Sequence, residues 1–478
     1  MTHIHHFHSR RRFLGAGGAL AAALGAGSLA NLLLVPRTAW AADYKALVCI
    51  VLYGGNDGMN MVVPTDTTRH DAYAAVRGPL ALPRSSLVAL SGSDYGLHPA
   101  MAPLAAHWNS GMLAPVFNLG PLHEPLTKQQ YRDAPEGSET VPESLFSHSD
   151  QQIQWETGTT DSQTRTGWGG RASQHLATVN PVISLGGNGH FGVEDLRMPL
   201  VLPGPGAGFG AYGLRPEDQD WEPNRLRKAA IDALYAAPQP LELGAAFATQ
   251  QRSAFDVSSR LAGLVGIRPG DADAIPQIDA AFAPLINGGA VTGQLGPQLY
   301  QAAKLIAANA VVQGNRQMFF AQMGGFDTHL NQVGGTATEG THAALMGELA
   351  LALSCFQNAL VALGLAPQVT TFTQSDFGRT FAPNESRGTD HAWGNHQLVL
   401  GGAVHGGQTY GSYPTLQLGG PDDVGLEAWE LQGRWIPSSS VDQYAATLLG
   451  WFGVADADLN DVLPNLANFG SQRTLGFI

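Results

Sequence analysis

Residues 46–53 read ALVCIVLY, an unbroken apolar run that constrains the fold more than any other stretch. Successive side chains of a strand point to opposite faces, so a strand that is apolar on both faces must be covered on both. A parallel sheet sandwiched by helices meets that demand, with crossovers carried by helices. Further strands are predicted at 113–118, 182–185, 316–323, 369–373 and 397–400. Helices are predicted at 99–110, 147–155, 297–313, 341–363 and 441–452. Strand, polar loop and helix alternate, which predicts an α/β fold with a mostly parallel sheet. Residues 186–295 break the rhythm. They are rich in Gly, Pro and Ala, carry helical pieces at 225–236 and 245–264, and are expected to form an insertion or cap over the core. Loops such as Pro203-Gly204-Pro205-Gly206 look too irregular for core strands.

Residues 1–41 are expected to be an export signal and not part of the fold, leaving 42–478 as a single domain with its insertion. Ser9-Arg10-Arg11-Arg12-Phe13-Leu14 matches a twin-arginine signal, a Gly/Ala-rich apolar stretch follows, and Ala39-Trp40-Ala41 suits cleavage. The expected location is therefore the periplasm or beyond, with the twin-arginine translocase as the partner during export. Proteins on that route fold before they cross. No later window is expected to span a membrane, so no stable membrane insertion is expected after cleavage. The chain has 26 Lys and Arg against 39 Asp and Glu, a formal net charge of −13. Loss of Arg10, Arg11, Arg12 and Arg37 makes the remainder more acidic, which excludes general electrostatic binding of nucleic acid. Two cysteines, Cys49 and Cys355, fall in an apolar strand and a helix and read as buried thiols. They are too few for a disulfide scaffold.

The chemistry-bearing residues cluster after predicted strands, where open α/β sheets build their sites. Asp57 lies among Gly54, Gly55 and Gly58 after the first strand. Asp327 and His329 follow Gly324-Gly325, and both can reach one ion if the loop turns. Asp376 follows the 369–373 strand, with Arg379 three residues on to pair with it or with an anion. Asp390, His391 and His396 surround Trp393, and could supply a metal ligand and its supporting carboxylate. Ser147 opens a predicted helix, where backbone N–H groups favour an anion, and His148 is next to it. Arg171, after Gly167-Trp168-Gly169-Gly170, is a candidate anion clamp.

The chain resembles an exported bacterial family, domain of unknown function 1501. The resemblance rests on GGNDGMN at 54–60, GLHPAM at 96–101, SHSDQQIQWETG at 147–158, GWGGR at 167–171, GGFDTH at 324–329, SDFGRT at 375–380, RGTDHAWGN at 387–395 and SVDQYAATL at 440–448. That family is similar to the alkaline phosphatase and sulfatase superfamily, which implies one large α/β domain around a two-metal site. By motif order, the resemblance implies Asp57 as first ligand and Ser147 as nucleophile. It implies Asp327 with His329 for one ion, Asp376 for the other, and His391 as the closing ligand. Two departures matter. Asp327 and His329 are closer together than the superfamily's pair, and Phe377 stands where a paired His is expected. The second ion then lacks a ligand unless His148, His342 or His396 replaces it, or only one ion is held. The cysteine signature of formylglycine sulfatases is absent.

These readings predict an exported hydrolase of phosphate or related esters that uses one or two divalent ions (zinc, manganese, calcium or magnesium). Its partner would be a small anionic ester. The expected metal ligands are Asp57, Asp327, His329, Asp376, His391 and His396, and the expected catalytic residues are Ser147, His148, Arg171 and Arg379. The alternative is a non-catalytic periplasmic binding or assembly protein on a degenerate phosphatase-like scaffold.

Overall fold

A computed structural model describes residues 43–176 and 182–478. The expected export signal lies outside the described residues. Among the described residues the main sheet has eight strands. In chain order they are β1 (Lys45–Leu52), β2 (Leu113–Gly120), β3 (Ile183–Ser184), β4 (Leu200–Val201), β5 (Arg316–Met323), β6 (Val369–Ser375), β7 (Asn395–Gly401) and β8 (Ser439–Ser440). Across the sheet the order is β8-β2-β7-β6-β1-β5-β3-β4. Every neighbouring pair is parallel except those of β7, which runs against both β6 and β2. The fold is thus α/β, with a large, mostly parallel sheet flanked by helices.

β1 shows why both faces are covered. Ala46, Val48, Ile50 and Leu52 join one buried cluster, and Leu47, Cys49 and Val51 join the other. The flanking helices are α1 (His148–Thr157), α2 (Trp168–Gln174), α3 (Gly296–Ala307), α4 (Thr341–Leu363) and α5 (Val441–Phe452). Leu299 and Ile306 of α3, with Leu349, Leu353 and Phe356 of α4, pack against the first face. Trp155 of α1, Trp168 of α2, and Tyr444 and Leu448 of α5 pack against the second. Local signals set the helix ends. Ser440 and Gln443 form a capping box at the start of α5, and Gly453 and Gly364 end α5 and α4 in the left-handed conformation.

α4 corrects one expectation, since by length and composition it could cross a membrane. Most of its apolar residues are instead buried in the core, Val361 being exposed. The helix expected at 99–110 is split: Pro99–Leu104 is a 3-10 helix containing Pro103, and only Ala105–Asn109 is α-helical. Pro103 lacks the N–H that an α-helical turn needs. Within 186–295, only the short edge strand β4 joins the main sheet among the described residues. Two helices, Glu222–Ala236 and Glu242–Gly266, follow it. The second is anchored to the core by Lys304 of α3. The buried ammonium donates to the carbonyls of Leu264, Val265 and Ile267 at the helix's C-terminal end. Burial pushes the Lys304 pKa down to about 7. Cys49 and Cys355 are buried and free.

Strand register brings the loops together. Leu52 of β1 pairs with Met323 of β5 on one side and Ser375 of β6 on the other. The chain therefore leaves all three strands at one edge, carrying 53–57, 324–329 and 376–380. Reversed β7 starts at this edge, so 390–394 arrive there too. An antiparallel bridge between Arg379 and His391 ties the last two loops.

Candidate metal centre

Three imidazoles converge on one carboxylate oxygen. Asp327 Oδ1 lies 3.0 Å from His329 Nε2 and 3.4 Å from the Nε2 atoms of both His148 and His391. The His329 and His391 Nε2 atoms are 2.8 Å apart. His148, Asp327 and His391 offer ligand atoms within 4.8 Å of one another.

The other nitrogen of each ring is already engaged. His148 Nδ1 meets Asp376 Oδ2 at 2.6 Å, His329 Nδ1 meets Asp390 Oδ1 at 2.8 Å, and His391 Nδ1 meets the Phe146 carbonyl at 2.7 Å. Ionised carboxylates and carbonyls only accept, so these partners assign the hydrogen to Nδ1 in each ring. When neutral, each ring turns an Nε2 lone pair inward, the arrangement typical of metal-binding histidines; without an ion, the contacts of these Nε2 atoms with Asp327 and with each other need an added hydrogen. His148 Nε2 is buried without a hydrogen-bond partner. Such an orphan atom, aimed at a carboxylate beside two more lone pairs, fits a divalent cation with nitrogen and oxygen ligands. Asp327 keeps 47% of its side chain exposed, so the centre opens to solvent.

The surroundings tune these groups. Burial alone would raise the Asp327 pKa, but the Arg379 hydrogen bond and charge, with the nearby histidines, bring it below the ordinary value. Arg379 is itself buried. It donates to Asp327 Oδ1 at 2.9 Å, to the Gly54 carbonyl at 3.2 Å and to both oxygens of Thr389. It braces the carboxylate and has no free donor edge for a substrate. His148 has a raised pKa, chiefly through its bond to Asp376 and against partial burial. His391 has a lowered one, chiefly through burial.

Glycine and strain shape the loops. Gly54 has φ of +113°, and a Cβ there would strike the Asp327 nitrogen and come within 2.8 Å of the Phe326 carbonyl carbon. Only glycine lets these loops touch. Phe146 has φ of 73°, which is rare for a bulky side chain. Gln151 Oε1 accepts from its N–H at 2.7 Å and His391 donates to its carbonyl, so both ends of the residue are held where the site needs them.

The expected site residues therefore separate. Asp327, His329 and His391 come together, and His148, expected among the catalytic residues, faces the same point. Asp376 stands behind His148, also accepting from Gln152 Nε2 at 2.9 Å and Gly54 N at 3.0 Å. Phe377 packs its ring 4.6 Å from both His148 and His391.

Asp57 does not join the cluster. It is buried in an ion pair with Arg77 and accepts from Gln332 Nε2 at 2.5 Å. His396 is buried elsewhere, its Nδ1 accepting from Asn118 N at 3.1 Å, and burial pushes its pKa down to about 3. That bond places the hydrogen on Nε2, the opposite tautomer to the three clustered rings and unsuited to a metal there. Arg171 donates to the carbonyls of Thr166, Thr157 and Val462, so it ties chain segments together and clamps no anion. Ser147 begins α1 but does not cap it with its side chain. Its hydroxyl donates instead to Asp150, with Ser149 Oγ 3.2 Å away.

Sequence reasoning overlooked the Phe146 carbonyl, Gln152 and Arg434. The spacing of His148 and Gln152, four apart on one helical face, was the available signal for Gln152. The Phe146 carbonyl carries none, because any residue has one.

Fold and site together define an α/β protein with a His/Asp cluster at the carboxyl edge of its central parallel strands. The chain belongs to the family described as protein of unknown function (DUF1501), whose model matches residues 44–423. No curated protein matches it. Among solved structures it is similar to one titled "Crystal structure of Ps i-CgsB in complex with k-i-k-neocarrahexaose". That match has 9% identity and a TM-score of 0.33, covering 89% of this chain and 77% of the other.

Proposed function

We propose that the protein is an exported, metal-dependent hydrolase of phosphate or related esters, built on an alkaline-phosphatase-like sheet and using one divalent ion. The observation that carries this is the set of three histidines with Nδ1 engaged outward and Nε2 directed at Asp327. Export is supported by the Arg10-Arg11-Arg12 signal. One ion is favoured over two because Asp57 is taken by Arg77, and the Phe377 ring stands against His148 and His391 where a further ligand is needed.

His148, His329, His391 and Asp327 would hold the ion, with Asp376, Asp390 and the Phe146 carbonyl fixing the rings. A bound divalent ion supplies Lewis acidity toward an ester oxygen and lowers the pKa of a bound hydroxyl or water. Ser147 sits one residue from both Phe146 and His148. Its Oγ would attack the phosphorus as the bond to the leaving oxygen breaks, its proton passing to Asp150, already its hydrogen-bond acceptor, and on to the leaving oxygen; water would then attack the phosphoserine, releasing the phosphate and restoring the hydroxyl. The non-catalytic alternative gains support from the same bond, since Ser147 Oγ faces Asp150 and not the His/Asp cluster.

The test is a panel of phosphate monoesters, phosphate diesters and sulfate esters, assayed with zinc-loaded and manganese-loaded protein. Turnover that disappears in Ser147→Ala with metal content unchanged supports the hydrolase. Stoichiometric metal without turnover of any ester moves the function to binding.

A further inference from the structure

An anionic ester needs a cationic receiver, and neither Arg171 nor Arg379 is free to act as one. Arg434 is. Its Nε donates to the His391 carbonyl at 2.9 Å, and its guanidinium carbon lies 4.7 Å from the centre of the Phe146 ring. Those contacts fix it beside a candidate metal ligand and beside the residue that precedes Ser147. Its Nη1 and Nη2 atoms have no hydrogen-bond partner among the described residues, and neither is a buried orphan, so each keeps some exposure, with the charges of Asp390, Asp423 and Glu430 acting on the guanidinium.

Tyr131 is a further polar group in this neighbourhood, in electrostatic interaction with Arg434. Its ring lies 6.0 Å from that of Trp393, and it packs with Phe146 on one apolar cluster. Its hydroxyl likewise has no hydrogen-bond partner among the described residues. Neighbouring cations are occupied: Arg132 pairs with Glu430 at 3.1 Å, and Lys128 Nζ donates to the carbonyls of Gly419, Gly420 and Gly425.

We propose that Arg434, assisted by the Tyr131 hydroxyl, binds a tetrahedral oxyanion, phosphate or sulfate, beside His391 and Ser147. A guanidinium anchored through Nε presents its two Nη groups as a planar fork that matches two oxygens of such an anion. The identity of the anion as part of an ester rests on the hydrolase reading, whereas its binding does not.

The test is calorimetric titration of the zinc-loaded full chain with inorganic phosphate and, separately, with inorganic sulfate. Arg434→Gln is expected to weaken binding of the preferred anion about tenfold to a hundredfold, the scale of hydrogen bonds to a charged group. Metal content should be unchanged. Arg434→Lys, which keeps the charge but not the fork, should fall between. Tyr131→Phe, which keeps the ring packing, should cost a few-fold. The tighter anion names the ester class. Equal anion affinity in folded Arg434→Gln and Arg434→Lys overturns the proposal, as does a wild type that binds neither anion at millimolar concentration. If anion binding follows Arg434 while no ester is turned over, the hydrolase reading fails and this one stands.

Discussion

Asp376→Asn removes one charge behind His148 and leaves the side chain's size unchanged. Asp376 Oδ2 accepts from His148 Nδ1, Gln152 Nε2 and Gly54 N at 2.6, 2.9 and 3.0 Å. The last two are donors, so the asparagine turns its amide oxygen toward them and keeps His148 in the same tautomer. What changes is bond strength. A hydrogen bond to a charged group contributes about 1.5–3 kcal/mol and a neutral one about 0.5–1.5 kcal/mol. The shortest bond of the three is the one to His148, so the loss there is about 1–1.5 kcal/mol, or roughly tenfold in metal affinity. Partners behind metal-binding histidines typically contribute about 10–100-fold, which sets the expected range. The metal-free fold should survive with reduced stability: the substitution removes a buried charge but puts the amide Nδ2 where Oδ1 is buried without a partner, at a cost of about 1–3 kcal/mol. Competition with a chromophoric zinc chelator measures the affinity, and thermal melts in EDTA measure the fold. Unchanged zinc affinity in a folded variant would refute the assignment of His148 as a ligand oriented by Asp376.

Arg77→Met leaves Asp57 as an unpaired buried carboxylate and should destabilise the protein by about 3–5 kcal/mol in urea unfolding. Metal content of the folded fraction should not change, which separates Asp57 from the ligands. Gly54→Ala forces a Cβ into the Asp327 backbone and should lower both the melting temperature and zinc affinity, read in the same pair of assays. His148 has a raised pKa, so in the metal-free protein its charged form stabilises the fold below the ordinary imidazole range. That contribution is lost as pH rises through the raised value. Zinc needs the neutral ring, so zinc affinity should rise over the same interval. Melts of metal-free wild type and His148→Gln between about pH 5 and 8 should converge toward the alkaline end, and a gap that widens with pH would contradict the assignment.

Much of the scaffold was legible because burial leaves a periodic trace. The β5, α4 and α5 boundaries, at 316–323, 341–363 and 441–452, follow from apolar pattern and caps alone. The position of the site at strand ends was also legible, since loops rich in Gly, Asp and His follow each central strand. What the pattern lacked was side-chain direction. Asp57 and Asp327 occupy equivalent places after parallel strands, yet one turns to Arg77 and the other to three histidines. His391 and His396 are five residues apart, but a backbone N–H from Asn118 sets His396 in the opposite tautomer. Arg434 sits in a stretch with no motif, and its bond to the His391 carbonyl and its contact with the Phe146 ring place it at the site. Contacts of this kind join residues far apart in the chain, so no local window contains them.

The most direct measurement is elemental analysis of the full chain, purified without chelator or affinity-tag metal, together with Asp327→Ala and His391→Ala. A single divalent centre predicts one equivalent of metal in the wild type, and its loss in both variants while they remain folded. No stoichiometric metal in the wild type after soaking, or metal retained in both variants, would contradict it.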